Sequence, residues 1–466
     1  MLRRRQFLAG SAATALLTAG PKSALASARA LKNEPLNLRA SEIRQPLLPG
    51  MLPSRLFLYN GESPGPIIRR RQGERLQVIF HNDLAVPSTI HWHGLRLING
   101  MDGVPHLTQA PVMPGKSFLY DFVLPDAGTY WYHAHFNSLE QVARGLYGPL
   151  IIEGDTGPRC RATDIVLTLD DWWIDDQGRF VDGFADWTQG KPGGRIGNIV
   201  TVNGRQPGRV IDVPAEAPVR LRLINVANAR EFFLELQGTA SKVVAVDGQP
   251  LEQHHLIDGA LRLGPAQRLD LVIQLADRSE ASLLETSGTL QNNQTLTTFR
   301  AQRRASETAS DVDWHAPSPA TPDLASALRV PLVMRGGSTT EIDGVDFQGK
   351  QRSLQELTKA QQVWAFNQTA DLPQQPLFRV KRGTSVRIAM ENQTGWSHAM
   401  HVHGHHFRVL DSRDDLDAKA WRDTVMIDRN QKLEIAFVAD NPGRWLLHCH
   451  MLQHAVSGMR TWFEVV

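Results

Sequence analysis

The sequence predicts an all-β protein of three tandem Greek-key β-sandwich domains, and two observations carry that prediction. Along 466 residues the apolar runs are short, rich in Val, Ile, Leu and Phe, and separated by Gly, Pro, Asn and Asp. That punctuation belongs to sandwiches and barrels. One pattern of strand and spacing also recurs three times along the chain, and repeats constrain an architecture more firmly than local propensity does. A chain this long exceeds one ordinary core, so several domains are expected on size alone.

The first domain, residues 35–154, contains Gly73-Glu-Arg-Leu-Gln-Val-Ile-Phe-His-Asn82, which alternates apolar and polar residues as a half-buried strand does. Nine residues after Asn82 comes His91-Trp92-His93-Gly94. The third domain, residues 330–466, repeats the strand as Gly383-Thr-Ser-Val-Arg-Ile-Ala-Met-Glu-Asn392, and His401-Val402-His403-Gly404 begins nine residues after Asn392. A second spacing matches as well. Phe122 to Gly128 is six residues and Gly128 to His133 five, leading into His133-Ala134-His135. Phe437 to Gly443 is six and Gly443 to His448 five, leading into His448-Cys449-His450.

The middle domain, residues 155–305, is a degenerate copy. Val219-Arg-Leu-Arg-Leu-Ile-Asn225 reproduces the strand, but Leu234 stands nine residues later, where the outer copies have histidine. Leu269–Leu275 matches the later strand, and no His-x-His follows it. Each copy also opens with an apolar strand ending in Asn: Tyr59-Asn60, Val202-Asn203 and Phe366-Asn367. Residues 306–329 lie in an Ala/Ser/Pro-rich stretch that reads as a linker. Helix is expected to be minor, with candidates at Ser138–Arg144 and Leu354–Gln361.

Composition narrows the function classes. Hydrophobic content of 42% with 21% charged residues describes a soluble globular chain rather than a disordered or membrane one. The formal charge of +2 reflects Arg3, Arg4, Arg5 and Lys22; without them 46 basic residues face 48 acidic ones. Nothing there points to nucleic acid or to an anionic membrane surface. Arg4-Arg5-Gln6-Phe7-Leu8, the short apolar run Ala12–Ala19 and Ala24-Leu25-Ala26 predict a cleaved targeting segment over residues 1–26. The run is too short to span a bilayer. The paired arginines resemble the twin-arginine export signal, which implies passage through that machinery into a bacterial periplasm and no stable membrane insertion. Of the two cysteines, Cys449 sits inside a histidine cluster and reads as a metal thiolate, leaving Cys160 a lone thiol.

Four His-x-His pairs carry the chemistry: His91/His93, His133/His135, His401/His403 and His448/His450. Period-two spacing puts both members of a pair on one strand face. Eight imidazoles converging from the outer domains can hold three metal ions, and imidazole suits copper, iron, nickel and zinc alike. The sulfur set breaks the tie. Cys449 points away from its neighbours His448 and His450, and with His454, Met459 and His398 it describes an electron-transfer copper site.

His91-Trp-His-Gly, His133-Ala-His, His398-Ala-Met-His401-Val-His403-Gly and His448-Cys-His-x3-His454-x4-Met459 resemble the four copper signatures of the multicopper oxidases, in their three-domain, laccase-like bacterial form. The resemblance spans essentially the whole mature chain and implies cupredoxin-like sandwiches with four copper ions. It implies a type 2 copper on His91 and His401, and type 3 coppers on His93, His133, His450 and on His135, His403, His448. The type 1 copper falls to His398, Cys449, His454 and Met459. It further implies a monomeric oxidase that takes single electrons from a phenol, aromatic amine or reduced metal ion at the edge of His454. Those electrons pass through Cys449 to a cluster that reduces O2 to water, and the middle domain acts as scaffold. Asp102, in Asn99-Gly-Met-Asp102-Gly, matches a carboxylate that the family places near the cluster, which implies proton delivery. Many bacterial relatives carry glutamate directly after the last type 1 histidine; here that position is Ala455, and Glu140 is the alternative carboxylate. The ten methionines are scattered, which speaks against a copper-sequestering protein with a methionine-rich tract.

Overall fold

The computed structural model describes residues 34–154, 164–184, 193–288, 293–302, 319–410 and 420–466. The expected export signal, Cys160 and much of the expected linker lie outside the described residues. Residues 37–466 form one compact unit, and the described residues hold three pairs of larger β-sheets and one two-stranded ribbon, Val345–Phe347 with Lys350–Arg352.

In the first sandwich, one sheet runs in the order Pro53–Tyr59, Leu36–Pro46, Arg75–Asn82, Lys116–Val123. The facing sheet runs Ile68–Arg71, Tyr147–Glu153, Gly128–Ala134, Ile90–His93. The third sandwich repeats this order strand for strand. Its first sheet is Trp364–Phe366, Leu328–Gly336, Thr384–Asn392, Lys432–Ala439, with Arg408–Val409 added at the edge. Its second is Arg379–Val380, Arg460–Val465, Gly443–Cys449, His398–Val402, with Thr424–Ile427 added. The middle sandwich follows the same plan through Ile199–Val202, Asp164–Trp172, Pro218–Asn225, Arg268–Gln274 and, facing them, Arg209–Pro214, Gln294–Gln302, Glu280–Glu285, Phe232–Gln237. In every sandwich the first-named strand of the second sheet pairs parallel with the sandwich's last strand. Parallel neighbours far apart in sequence, among antiparallel hairpins, are the mark of a Greek key.

The repeated asparagines explain why the spacing is conserved between copies. Asn82, Asn225 and Asn392 are all buried, and each accepts the N–H two residues on, at 3.1, 3.0 and 2.9 Å. Each side-chain amide then donates to the carbonyl of Val86, Arg230 or Trp396 at 2.9, 2.8 and 2.7 Å. This ties the loop back on itself just before the next strand. The earlier set, Asn60, Asn203 and Asn367, adopts left-handed φ of 53°, 51° and 53°, which Asn tolerates better than other side chains. Their side-chain oxygens accept the N–H of Arg39, Thr168 and Val333.

Each sandwich fills with its own apolar side chains, among them Trp445, Phe437 and Ile388 in the third and Leu221, Val243 and Phe299 in the second. A further cluster joins all three: Trp131 and Ile151, Ile224 and Val226, and Leu452. The expected helices are present as Ser138–Ala143 and Leu354–Lys359, the latter started by a Ser353/Glu356 capping box. No helix among the described residues is long and apolar enough to cross a membrane.

Candidate metal centre

Two strand pairs build the site. In the first sandwich Ile90–His93 lies antiparallel to Gly128–Ala134 with His91 opposite His133. In the third, His398–Val402 lies antiparallel to Gly443–Cys449 with His401 opposite His448. Opposed residues share a face, as do residues two apart on one strand, so each strand pair delivers imidazoles to one side. The two faces meet with an approximate two-fold relation. His91 stacks on His403 with ring centroids 4.0 Å apart, and His93 stacks on His401 at 3.8 Å.

One aspartate holds each stack. Asp102 accepts His91 Nδ1–H on its backbone carbonyl at 2.8 Å and His403 Nδ1–H on Oδ2 at 2.9 Å. Asp423 accepts His401 Nδ1–H on its carbonyl at 2.9 Å, and its Oδ1 lies 3.1 Å from His93 Nε2. Asp102 reaches this place because Gly103 follows it with φ +82°; a Cβ there would fall 1.8 Å from the Ile90 carbonyl oxygen. Asp102 Oδ1 is buried without a hydrogen-bond partner. His91 Nδ1 is 3.3 Å from it, but the one proton on that nitrogen is directed at the nearer carbonyl.

These bonds decide where the lone pairs point. His403 gives Nδ1–H to Asp102 and His448 gives Nδ1–H to the Cys449 carbonyl at 2.9 Å, which leaves two Nε2 lone pairs facing each other at 3.1 Å. Two acceptors at that distance repel unless a cation lies among them. His91 Nε2, His93 Nδ1, His401 Nε2 and His450 Nδ1 are also buried without partners, each a loss of ~1–3 kcal/mol if nothing satisfies it. Burial, followed by crowding from neighbouring imidazoles, pushes His93, His133, His135, His403, His448 and His450 well below the usual histidine range. Neutral imidazoles are the form that binds metal. Their donor atoms gather into three groups, His91/His93/His401, His93/His133/His450 and His135/His403/His448, with the atoms of each group within 4.8 Å of one another.

The sulfur set forms a fourth group. Cys449 Sγ lies 3.8 Å from His398 Nδ1 and 3.6 Å from His454 Nδ1, and the two nitrogens are 3.0 Å apart. Burial pushes the Cys449 thiol up to about 12, so at neutral pH it keeps its proton until a metal cation takes the proton's place on sulfur. Met459 is fully buried in the same apolar cluster, and its carbonyl accepts Cys449 N–H at 3.1 Å. A cysteine thiolate, two imidazoles and a thioether in an apolar shell fit copper better than zinc or iron. His398 Nε2 meets Thr394 Oγ1 at 2.8 Å, and the Trp364 ring lies 4.5 Å from that of His454 and 5.2 Å from that of His398. Next to the helix Leu452–Val456, which carries His454, opens a cavity of about 170 Å³ lined by Asn137, Phe184, Arg195, Gln362 and Gln453. Gly194 lies over the outer edge of His454, where a Cβ would come within 4.0 Å of Nε2.

Several residues fall outside these groups. His405 rests on Phe437, Trp445 and Phe463, and His406 Nε2–H donates to the Gly94 carbonyl at 2.8 Å. Glu140 is tied to Arg144 at 2.8 Å and Asn137 at 3.0 Å. Ala455 is buried. Sequence reasoning missed Asp423, Arg268, Asp247 and Thr394. Arg422-Asp423 reads as a polar pair before a strand, and nothing in its spacing marks it as a partner of histidines more than twenty positions away.

Three stretches match multicopper oxidase family models: residues 45–157, 163–303 and 346–466. A crystal structure of a multi-copper oxidase from Pseudomonas thermotolerans superimposes with a TM-score of 0.78 at 32% identity, covering 93% of this chain and 99% of that one. Lac15 from a marine microbial metagenome gives 0.71 at 35% identity, covering 93% and 100%. Multicopper oxidase MmcO of Mycobacterium tuberculosis is 29% identical over 88% of this chain and 82% of its own. A frame of neutral buried imidazoles, a cysteine set beside it, and this likeness along nearly the whole chain lead to one conclusion: the protein belongs to the multicopper oxidase family, as a three-domain, laccase-like copper oxidoreductase that uses O2.

Proposed function

We propose that the chain holds four copper ions and oxidises a small aromatic donor, a phenol or aromatic amine, at the expense of O2. His398, Cys449, His454 and Met459 would hold the type 1 copper, and His91 with His401 the type 2 copper. His93, His133, His450 and His135, His403, His448 would hold the type 3 pair. The observation that carries this reading is the pair of facing Nε2 lone pairs on His403 and His448, with four more imidazole nitrogens buried and unpartnered beside them. When bound, the coppers supply one-electron acceptance at the type 1 site and four-electron reduction of O2 to two waters at the cluster.

The protein's own residues supply the rest. His454 turns Nδ1 toward Cys449 and so presents its other edge toward Gly194 and the donor. Cys449 is joined through the backbone to His448 and His450, so one strand end links the two sites by covalent bonds alone. Asp102, its Oδ1 unpartnered, takes the proton-delivery role, a part that Ala455 cannot take and that Glu140, held by Arg144, leaves open. The cavity favours an organic donor over a metal ion: its described lining offers amides, Phe184 and Arg195, with no carboxylate or thioether. We further assign residues 1–26 to twin-arginine export into the periplasm, residues 35–154, 155–305 and 330–466 to the three sandwiches with a linker at 306–329, and a monomeric state. Oxygen uptake by the copper-loaded protein tests the donor class. Turnover is expected with phenols and aromatic amines to exceed that with Cu(I), Fe(II) or Mn(II); uptake driven by metal ions alone would overturn the assignment.

A further inference from the structure

The middle sandwich carries none of the grouped histidines, yet it reaches the site. Arg268, at the start of the strand Arg268–Gln274, is fully buried. Its guanidinium leaves its own sandwich and clasps Asp423, Nη1 donating to Oδ1 at 2.8 Å and Nη2 to Oδ2 at 2.6 Å. Nε donates to the Thr129 carbonyl of the first sandwich at 3.1 Å, and Nη2 also donates to the Asp247 carbonyl at 2.9 Å. Asp247 completes the grip, accepting Arg268 N–H on Oδ1 at 2.9 Å and the N–H groups of Asp423 and Thr424 on Oδ2 at 3.3 and 3.1 Å. The neighbouring Gln267 donates to the Thr424 carbonyl at 3.1 Å. Gly94, directly after His93, lies flat on this ion pair; a Cβ there would come within 2.4 Å of Arg268 Nη2 and 2.6 Å of Asp423 Oδ2. The clasped carboxylate in turn meets His93 Nε2, and the same residue's carbonyl meets His401 Nδ1.

We infer that Arg268 is a positioning residue for the copper cluster: it fixes Asp423, and Asp423 fixes which nitrogens His93 and His401 turn toward the metals. His93 is thereby left to bind through Nδ1 and His401 through Nε2, the two nitrogens found buried without partners. A bidentate arginine–carboxylate pair sets orientation as well as charge, and groups that orient metal ligands are worth about 10–100-fold in metal affinity or activity. The inference rests on the copper reading above and extends it, giving the ligand-free sandwich a part in the chemistry.

The test compares copper-loaded wild type with Arg268→Lys, Arg268→Met and Asp423→Asn. Copper per chain, the type 2 and type 1 electron paramagnetic resonance signals, and the kcat and KM of donor oxidation are measured. The expected result is an unchanged blue type 1 signal with loss of about one copper per chain, or an altered type 2 hyperfine splitting. With it, kcat should fall about 10–100-fold at unchanged donor KM, and lysine should recover part of what methionine loses. Should an Arg268 variant not fold, Asp423→Asn, which leaves the guanidinium a carbonyl acceptor, carries the comparison. Full copper, a wild-type type 2 signal and unchanged kcat in the folded variants would overturn the inference. A wild-type protein that binds no copper would overturn the copper reading itself.

Discussion

The first and third sandwiches place the same histidine frame around one centre and differ in what they hang on it. His91 opposes His133 as His401 opposes His448, and Asp102 and Asp423 each join a carbonyl and a carboxylate to one stacked histidine pair. At the next register position the first sandwich has Ala134 opposite Ile90, while the third has Cys449 opposite Met400. The aspartates differ as well. Asp423 has both oxygens clasped by Arg268, whereas Asp102 keeps Oδ1 without a hydrogen-bond partner. A duplicated frame therefore serves two ends. The third sandwich presents a cysteine and a carboxylate fixed at both oxygens; the first presents a carboxylate with one oxygen unpartnered.

The sharpest way to break this comparison is at Cys449. Cys449→Ser removes the sulfur that the first sandwich lacks at that position, and turnover and blue absorption should vanish while the histidine cluster still takes up copper. Persistence of the blue band would put the sulfur link elsewhere. Next comes Asp102→Ala, expected to slow oxygen reduction about 10²–10⁴-fold, the usual reach of one proton-transfer group, with the blue band intact. Unchanged turnover would remove Asp102 from the mechanism.

A third test uses pH on chelated protein. Because burial lowers the cluster histidines in the folded state, the unfolded chain binds more protons than the folded one below about pH 6.5, the ordinary histidine value. Stability of the metal-free form should thus be intact above that pH and fall steadily as pH drops beneath it. Melting curves that stay flat from pH 7 to 5 would contradict the neutral assignment. The smallest effect is expected at the repeated asparagines. Asn392→Ala and Asn225→Ala should each cost about 1–3 kcal/mol of stability through unsatisfied buried backbone groups. Only Asn392→Ala, on the loop before His398, should also shift the blue band; equal shifts in both would separate the loop from the site.

Much of this architecture was legible because it is periodic. A strand alternates with period two, a duplicated domain repeats its spacings, and so Asn82-to-His91 matched Asn392-to-His401 without any knowledge of contacts. The same regularity exposed the middle copy through Leu234, where a histidine would otherwise stand. What the repeats could not show was chemistry assembled from single residues far apart. Arg268 begins a strand that reads as ordinary, Asp247 sits in a turn, and Asp423 lies 22 residues beyond His401, whereas Asp102 lies only 11 beyond His91. The two aspartates each bond one stacked histidine pair from inequivalent sequence positions. Only the folded chain brings them into register.

The account depends most on the buried histidine nitrogens having metals to bind. Copper analysis of the loaded wild-type protein, taken with its absorption and paramagnetic resonance spectra, tests that directly. Four coppers per chain with an intense blue band and a separate type 2 signal is the predicted result. Far fewer than four, or no blue band, would contradict it.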